Sequence, residues 1–296
     1  MDFKQLNAFL TVSELHNFTK AGESLGYAQS SITTQIRLFE DELGVKLFER
    51  MGKNVTLTHE GKKLLPYVMQ LSKLSNDIKN VVSPAKAPAG SLTIGAAESL
   101  CSFRLPGILK QYRKLYPGVE ISLKLLNCED FKRCLSDNII DVAFSLGTKI
   151  NFEDFITVAE LPEPVLLLAY PDHPFVTKEQ IKPSDLENEA LILTETGCSY
   201  RAKFEEILRN YQIKPKVALE TGSVQAIKQF TMSGIGICVL PEIAVIEEIS
   251  SGKLIPLHWT GPDFGIVSQV IYHKNKWISP ALKEFIQLVG DVLKQK

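Results

Sequence analysis

The sequence predicts an α/β protein in three consecutive parts: a small all-α N-terminal region, one long helix, and a larger region of alternating strands and helices. The N-terminal region carries apolar residues at the spacing of amphipathic helices. After residue 91, short β-branched runs alternate with helical stretches, which predicts mainly parallel sheets covered by helices. Residues 83–90, Ser-Pro-Ala-Lys-Ala-Pro-Ala-Gly, have no apolar periodicity and predict a linker. A chain of 296 residues is long enough for two or three such domains.

Composition and charge exclude several classes of protein. With 45% hydrophobic and 23% charged residues, the chain has an ordinary globular composition. No apolar run approaches the roughly 20 residues of a membrane span, and Met1–Lys4 lead into an amphipathic helix instead of a signal peptide. We therefore expect a cytoplasmic protein with no membrane association. The five cysteines contain no C-x-x-C pair, so we expect free thiols, no metal and no cofactor.

The N-terminal region predicts a helix-turn-helix. A first helix spans residues 3–15, with these apolar residues facing inward: Phe3, Leu6, Phe9 and Leu10. A second helix, 19–25, is joined through Gly26-Tyr27 to a third. The third helix has an apolar stripe formed by Ile32, Ile36, Phe39 and Leu43, and its outer face carries Ser30, Thr33, Thr34 and Arg37. Such a polar helix face fits the DNA major groove, whereas periodicity alone favours two ordinary amphipathic helices of an α-helical domain.

A hairpin and a long helix follow. Residues 45–58 predict a β-hairpin wing with Gly52-Lys53-Asn54 at its tip, where Lys53 suits a phosphate contact or is simply solvated. Thr58 caps a helix that runs to about Val82. Its apolar stripe consists of Leu64, Val68, Leu71 and Ile78, widened by Tyr67, Leu74 and Val81. A single helix cannot bury so broad a surface, so the helix packs either on its own domain or on another subunit.

Three motifs place these elements in a known family. They are Leu25-x-x-x-Gln29-x-x-Ile32-x-x-x-Ile36, then Leu43-Gly44-x-x-Leu47-Phe48-x-Arg50, then Leu57-Thr58-x-x-Gly61-x-x-Leu64. Through about the first 65 residues, the chain resembles LysR-type transcriptional regulators. The resemblance implies a winged helix-turn-helix that binds double-stranded promoter DNA and a long helix that pairs subunits into a homodimer or homotetramer. The residues expected to contact DNA are Gln29, Ser30, Thr33, Thr34, Arg37, Arg50 and Lys53.

Two features depart from the pattern expected of such a domain. Gly22 stands mid-helix where an alanine is usual, and Ala28 precedes the third helix where a capping Ser or Thr is expected.

The charge of the N-terminal region is also unusual for a DNA-binding domain. Residues 1–58 carry six cationic and seven anionic side chains, which is not the basic balance of most nucleic-acid-binding domains. Because helix N-termini and hydroxyls also bind phosphates, we expect modest non-specific affinity with a shallow dependence on salt.

The remainder of the chain predicts two α/β lobes. The expected strands are residues 91–95, 119–126, 140–146, 165–170, 191–193, 217–219, 236–240 and 266–272, and the expected helices are 103–116, 130–135, 200–211, one after Ser223, and 280–293. The order resembles the periplasmic-binding-protein-like effector domain of LysR regulators. The expected divisions are 1–58 for the DNA-binding domain, 59–87 for the linker helix and hinge, 88–161 with 267–296 for lobe I, and 162–266 for lobe II.

Ligands of α/β domains bind beyond the carboxyl ends of strands, where helix N-termini offer unpaired N–H groups. Nine residues at such positions are the expected effector-binding residues: Ser99, Leu100, Cys101, Thr148, Thr196, Gly197, Cys198, Arg201 and Ser223. Hydroxyls, amide groups and one arginine suit a small organic anion such as a carboxylate. The alternative is that the Ser and Thr residues are only helix caps.

Other functions are weighed against this one. Cys198, at a helix N-terminus near Arg201, could serve a thiol-based redox response, although no second cysteine follows it closely. A solute-binding protein would have two lobes but needs an export signal. An enzyme with a helical appendage needs a catalytic constellation, and the sequence contains no nucleophile elbow, P-loop or His-Glu-x-x-His. We expect no catalytic residues.

Overall fold

A computed structural model describes residues 1–51, 54–81 and 88–294, which fall into a smaller N-terminal unit and a larger C-terminal unit. The predicted linker 83–90 lies mostly outside the described residues, as does Lys53. The N-terminal unit contains α1 (Phe3–Leu15), α2 (Phe18–Leu25), α3 (Gln29–Leu43), β1 (Phe48–Met51), β2 (Asn54–Leu57) and α4 (His59–Val81).

Side-chain caps fix the starts of the first two helices. The Asp2 carboxylate accepts a hydrogen bond from Gln5 N at 2.9 Å and forms a capping box with that residue. The Asn17 side chain accepts from Thr19 N and Lys20 N. By contrast, Ala28 gives α3 no side-chain cap, so the first amide groups of α3 are not satisfied by a capping side chain.

The core of the N-terminal unit is aromatic. The ring of Phe9 contacts Phe39 edge-on with centroids 6.0 Å apart, and Phe48 at 5.4 Å. Ile32, Ile36 and Phe39 are buried as the apolar stripe of α3 predicts. The prediction was wrong for Leu43 and Phe3, which are exposed because they occupy the last and first positions of their helices.

In α4, Leu64 and Val68 pack on the core of this unit, whereas four other members of the predicted apolar surface are exposed: Tyr67, Leu71, Leu74 and Ile78. The Thr58 hydroxyl accepts a hydrogen bond from Gly61 N at 3.0 Å, as expected of a helix cap. The start of α4 is therefore fixed to its own domain, and its later turns present apolar side chains.

The C-terminal unit alternates strands and helices. In chain order it contains β3 (Gly90–Ala96), α5 (Glu98–Phe103), α6 (Leu105–Leu115), β4 (Val119–Leu125), α7 (Cys128–Ser136), β5 (Val142–Gly147), β6 (Phe155–Pro162), β7 (Val165–Ala169), β8 (Ala190–Leu193), α8 (Ser199–Asn210), β9 (Lys216–Glu220), α9 (Val224–Met232), β10 (Ile237–Pro241), α10 (Ile246–Ser250), β11 (Ile255–Pro256), β12 (Val267–His273) and α11 (Pro280–Lys294). Short 3-10 helices span Pro174–Thr177, Pro183–Leu186 and Glu242–Ala244.

These strands form two five-stranded mixed sheets. The first has the order β4-β3-β5-β12-β6 and the second the order β11-β7-β10-β8-β9. β3 is parallel to β4 and β5, whereas β12 is antiparallel to both of its neighbours. β12 returns to the first sheet after the chain has built the second, and α11 then packs on α6 through a 2.7 Å hydrogen bond from Tyr112 Oη to Ala281 O.

Three predictions for this region were wrong. β6 was not predicted, because its mixed polar and apolar residues lie at an edge of the sheet and give only weak alternation. The helix expected at 103–116 begins earlier, as α5, and is interrupted at Arg104 before Pro106, which occupies the first turn of α6. β7 was expected to begin a βαβ unit but pairs antiparallel with β10.

Gly22 is explained by close packing. A Cβ atom at this position would lie 2.6 Å from the carbonyl oxygen of Tyr27 and 3.3 Å from Gln29 N, and Tyr27 N itself donates to Gly22 O at 2.8 Å. The turn between α2 and α3 therefore approaches the backbone of α2 where only glycine leaves room.

Gly22→Ala should destabilise the N-terminal unit by about 1–3 kcal/mol through overpacking, although alanine is ordinarily the better helix former. Hydrogen exchange of the α2 and α3 amides would measure this loss. Gly290→Ala in α11 is the matched control, because no neighbouring atom lies within 4 Å of its added Cβ, and it should stabilise its helix by about 1 kcal/mol. Unchanged protection in Gly22→Ala would contradict the packing argument.

Candidate functional site

The structure places five predicted DNA-contacting residues on one helix. Gln29, Ser30, Thr34 and Arg37 are exposed and Thr33 is half-buried, all in α3. The Thr33 and Thr34 hydroxyls donate to the carbonyl oxygens of Gln29 and Ser30, at 3.0 and 2.9 Å, so their oxygen atoms remain free to accept. α3 thus presents amide, hydroxyl and guanidinium groups to solvent on the side opposite its buried stripe.

The β1–β2 hairpin forms the wing, of which the structure describes the two strands. β1 and β2 pair antiparallel with Arg50 opposite Val55, which places the Arg50 backbone in the hairpin. The side chain of Arg50 and the whole of Lys53 lie outside the described residues.

Glu40 positions the wing and was not identified from the sequence. Its carboxylate is buried and accepts hydrogen bonds from Leu47 N at 2.9 Å and from Phe48 N at 3.4 Å. Its second oxygen pairs with Lys46 Nζ at 2.7 Å. The carboxylate therefore holds the start of β1 against α3. The available signal was spacing, since Glu40 lies four residues after Ile36 on the buried stripe, whereas its acidic neighbours do not.

In the C-terminal unit, a cavity of about 260 Å³ lies beyond the carboxyl ends of strands from both sheets. Its lining comes from the segments that follow β3, β4, β8 and β9, and from Leu146 in β5. The described lining residues are Ala97, Glu98, Ser99, Leu125, Leu126, Asn127, Asp130, Leu146, Thr194, Glu195, Gly197, Cys198, Ser199, Tyr200, Gly222 and Val224. This is where α/β folds bind ligands.

Three predicted effector-binding residues line this cavity: Ser99, Gly197 and Cys198. Four others do not. Leu100 is fully buried in the core, Cys101 packs half-buried against it, Thr196 is exposed, and Ser223 caps α9 by accepting from Ala226 N at 3.3 Å. The capping alternative therefore describes Ser223.

Thr148 lines a smaller cavity of about 210 Å³ that shares Leu146 and Ser199 with the first. The Ser199 hydroxyl donates to the carbonyl oxygen of Leu146, which joins the start of α8 to β5. The two predicted segments are thus neighbours, but Thr148 itself is not among the residues of the larger cavity.

Arg201 is not available to bind an anion in the cavity. It is buried and its Nε pairs with Glu205 at 2.8 Å, while Nη1 pairs with Glu220 at 2.8 Å and also donates to the Thr194 carbonyl oxygen. This arginine was the one cationic side chain on which the expectation of an organic anion rested, beside the hydroxyls and the amide groups of helix starts. Its guanidinium instead connects α8 to the end of β9, a role that the sequence alone does not reveal because Glu220 is distant in sequence.

Sequence reasoning did not select five further residues that line the cavity, most of them acidic or aromatic. Glu98, Asp130, Thr194, Glu195 and Tyr200 all line the cavity but were not among the expected residues. Four of them are adjacent to expected residues or within the same segments, so the signal was present. These residues were not selected because hydroxyl and cationic side chains were preferred to carboxylates as ligand-binding groups.

Two polar atoms at the cavity are buried and make no hydrogen bond to any described residue: Glu98 Oε2 and Thr194 Oγ1. Burial raises the pKa of Glu98, and the Ser102 hydroxyl and the Lys228 charge only partly oppose it. Burial, and then Cys198, also raise the pKa of Tyr200 well above its usual value, against a hydrogen bond with Ser99. The cavity therefore combines a desolvated carboxylate with a neutral phenol.

The thiols give the redox alternative no added support. Among the described cysteines, Cys101, Cys198 and Cys238 are free thiols. Burial raises the pKa of Cys238 to about 12, and burial together with Glu98 raises that of Cys101. The cation expected to favour a Cys198 thiolate is Arg201, which already pairs with two carboxylates. The described residues also contain no metal-binding cluster, and none of their helices is long and apolar enough to cross a membrane.

Both units match known families. Residues 3–62 match the bacterial regulatory helix-turn-helix proteins of the LysR family, and residues 85–294 match the LysR substrate binding domain. The chain belongs to the LysR family. It is therefore a DNA-binding transcriptional regulator with an effector-binding domain, as the N-terminal motifs had indicated.

Relatives and solved structures agree along the whole chain. YwqM of Bacillus subtilis, an uncharacterized HTH-type transcriptional regulator, is 39% identical, with 99% of this chain and 100% of that protein covered. YfiE of Escherichia coli, described in the same words, is 32% identical over 98% of both chains. Full-length CbnR complexed with its target DNA superposes with a TM-score of 0.68 at 22% identity, covering 98% and 99% of the two chains. The predicted fold, helix-turn-helix followed by a two-lobed α/β domain, is confirmed.

Removing the Glu40 carboxylate should loosen the wing of this LysR-family regulator. Glu40→Ala leaves two buried amide groups without their partner, which should cost about 1–3 kcal/mol and weaken DNA binding as well. Thermal denaturation and fluorescence anisotropy with promoter DNA would measure both effects. Asp41→Ala, an exposed neighbouring carboxylate, should change stability by less than about 0.5 kcal/mol. Equal behaviour of the two variants would show that Glu40 does not hold the wing.

Glu98→Gln should raise the melting temperature, and the gain should depend on pH. At pH values below its ordinary pKa of about 4.5, Glu98 is protonated in both the folded and the unfolded protein. The fold then buries no charge at this position. As pH rises through the window between the ordinary and the raised pKa, the unfolded state ionises first and the wild-type loses stability. The gain from glutamine should therefore grow through this window and then level off. Glu153→Gln, at an exposed carboxylate, should show no such growth.

Proposed function

We propose that this LysR-family regulator recognises promoter DNA with the exposed face of α3 and senses a small molecule in the cavity of its C-terminal unit. The observation that carries the DNA-binding proposal is that Gln29, Ser30, Thr33, Thr34 and Arg37 share one face of α3, away from its buried stripe. Amide and guanidinium groups can form paired hydrogen bonds with base edges. Arg50 and Lys53 of the wing would add phosphate contacts.

We assign the parts of the chain as the sequence suggests: residues 1–58 bind DNA, 59–87 link and pair subunits, 88–161 with 267–296 form lobe I, and 162–266 form lobe II. The exposed apolar side chains of α4 support subunit pairing, since Leu71, Leu74 and Ile78 have no cover in a single chain. A dimer or tetramer matches the two-fold symmetry of operator DNA. The regulator would act in the cytoplasm, where it meets the promoter.

The proposed mechanism couples the cavity to the spacing of the DNA-binding domains. Because the cavity is lined by segments from both sheets, a ligand bound there contacts both halves of the C-terminal unit and favours one of their relative arrangements. A ligand shifts this equilibrium only by its difference in affinity for the two arrangements. In an oligomer, the favoured arrangement would set the distance between helix-turn-helix domains and so change promoter contacts.

Thr33→Ala and Arg37→Ala should each weaken binding to the promoter by about 1–3 kcal/mol while leaving the fold intact. The measurement is fluorescence anisotropy of full-length protein with the DNA upstream of its own gene, against a scrambled duplex. Lys63→Ala is the control for charge, because Lys63 is an exposed cation on α4. Wild-type affinity in both α3 variants would mean that this helix does not enter the groove.

A further inference from the structure

The cavity of the C-terminal unit is acidic. Glu98, Asp130 and Glu195 line it, and no described lining residue has a cationic side chain. Asp130 pairs with Arg133 at 2.6 Å, whereas Glu98 and Glu195 form no ion pair with any described residue. The Glu195 carboxyl group lies where a side chain at position 222 would stand, since a Cβ on Gly222 would approach it within 2.9 Å. Glycine at 222 therefore makes room for this carboxylate.

Two of the four buried side-chain atoms that lack a hydrogen-bond partner among the described residues lie at this cavity. Thr194 is only 5% exposed, and neither its Oγ1 nor Oε2 of Glu98 has a hydrogen-bond partner among the described residues. Buried polar groups without partners are rare and costly. Both residues line the cavity, so a molecule bound there can supply the bonds that the protein does not.

The nearby cations are already engaged. Lys228 acts on Glu98 by its charge, but its ammonium group pairs with Glu248 at 2.8 Å and donates to Ala244 O at 3.0 Å. Arg201, on the other side, pairs with Glu205 and Glu220. Each of these cations is balanced by at least one carboxylate of its own. The unbalanced charge that remains at the cavity is negative.

We infer that the effector carries a protonated amine, which binds the Glu98 carboxylate and the Thr194 hydroxyl. This inference rests on the sensing function proposed above and gives the chemical class of its ligand. An ammonium group has three donors and no acceptor, so it can bond to both oxygen atoms and compensate the charge of Glu98. An effector whose only charged group is a carboxylate would meet like charges at Glu98 and Glu195.

The cavity also limits the size of the amine. A volume of about 260 Å³ is at the small end of ligand pockets, which fits a short amine or an amino acid. An amino acid would bring a carboxylate as well. That group has a place at the start of α8, where Cys198 provides no side-chain cap for the first amide groups.

The test compares charges on matched carbon chains. Melting temperatures of the full-length protein are measured with ethylamine, butylamine and hexylamine, with acetate, butyrate and hexanoate, and with glycine, 4-aminobutyrate and 6-aminohexanoate, all at equal pH and ionic strength. We expect stabilisation by compounds that carry an ammonium group. A larger effect of the amino acids than of the plain amines would identify an amino acid as the source of that group.

Three variants assign the effect to the cavity. Glu98→Gln should weaken binding of the stabilising amine roughly ten- to a hundredfold, the loss expected for a charged hydrogen bond, and Thr194→Val should weaken it less. Both variants should be at least as stable as the wild-type without ligand, because Glu98→Gln removes a buried charge and Thr194→Val removes an unsatisfied buried hydroxyl. Glu153→Gln changes the net charge equally but is exposed and outside the cavity, and it should bind as the wild-type does.

Stabilisation by carboxylates alone, by no compound of the panel, or equally in Glu98→Gln and wild-type would overturn the inference. Promoter binding is measured by anisotropy on the same preparations. Intact promoter binding together with a failed amine test would reject the ligand class and leave the DNA-binding function standing. Lost promoter binding with a successful amine test would support the ligand class and reject the proposed DNA-binding function.

Discussion

The chain passes twice between the two sheets of its C-terminal unit, and the two passages are joined by a backbone hydrogen bond and an ion pair. Glu163, just after β6, donates its backbone N–H to the carbonyl oxygen of Ile266, just before β12, at 2.9 Å. Arg104, at the break between α5 and α6, pairs with the Glu163 carboxylate at 2.6 Å. These bonds fix the crossover between the sheets, and the segments that follow β3 and β8 line one cavity.

Four buried side-chain atoms of the described residues lack a hydrogen-bond partner: Glu98 Oε2 and Thr194 Oγ1 at the cavity, and Arg104 Nε and Glu248 Oε2 outside it. Other buried polar side chains, such as Gln269 and Arg201, are bonded within the protein. The Gln269 side chain, 1% exposed, accepts from Ile150 N at 2.7 Å and donates to Ile150 O and to the Glu160 carboxylate. These bonds fix β12 in the first sheet. Arg201 is likewise fully committed. The unpaired oxygens of Glu98 and Thr194 both lie at the cavity beyond the strand ends, which is where the inferred amine would bind.

The sequence predicts local structure well where it is set by neighbouring residues. The bounds of α1 to α4 agree with the expected helices to within a residue or so, because apolar spacing, caps and turn glycines act over a few positions. It fails where partners are distant. The antiparallel orientation of β12 is set by its pairing with β5 and β6, which lie more than a hundred residues earlier in the chain.

The same distinction explains why the sequence favours an organic anion whereas the structure leads us to infer an amine. Arg201 and Glu98 both lie near helix starts beyond strand ends, and helix starts favour anions. Residue type alone therefore favours an arginine-bound anion. Which charge remains for a ligand depends on the partners that the fold supplies: Arg201 receives Glu205 and Glu220, whereas Oε2 of Glu98 receives no hydrogen bond from the described residues. The chemistry of the site thus follows from the charges left unpaired and not from the residues present.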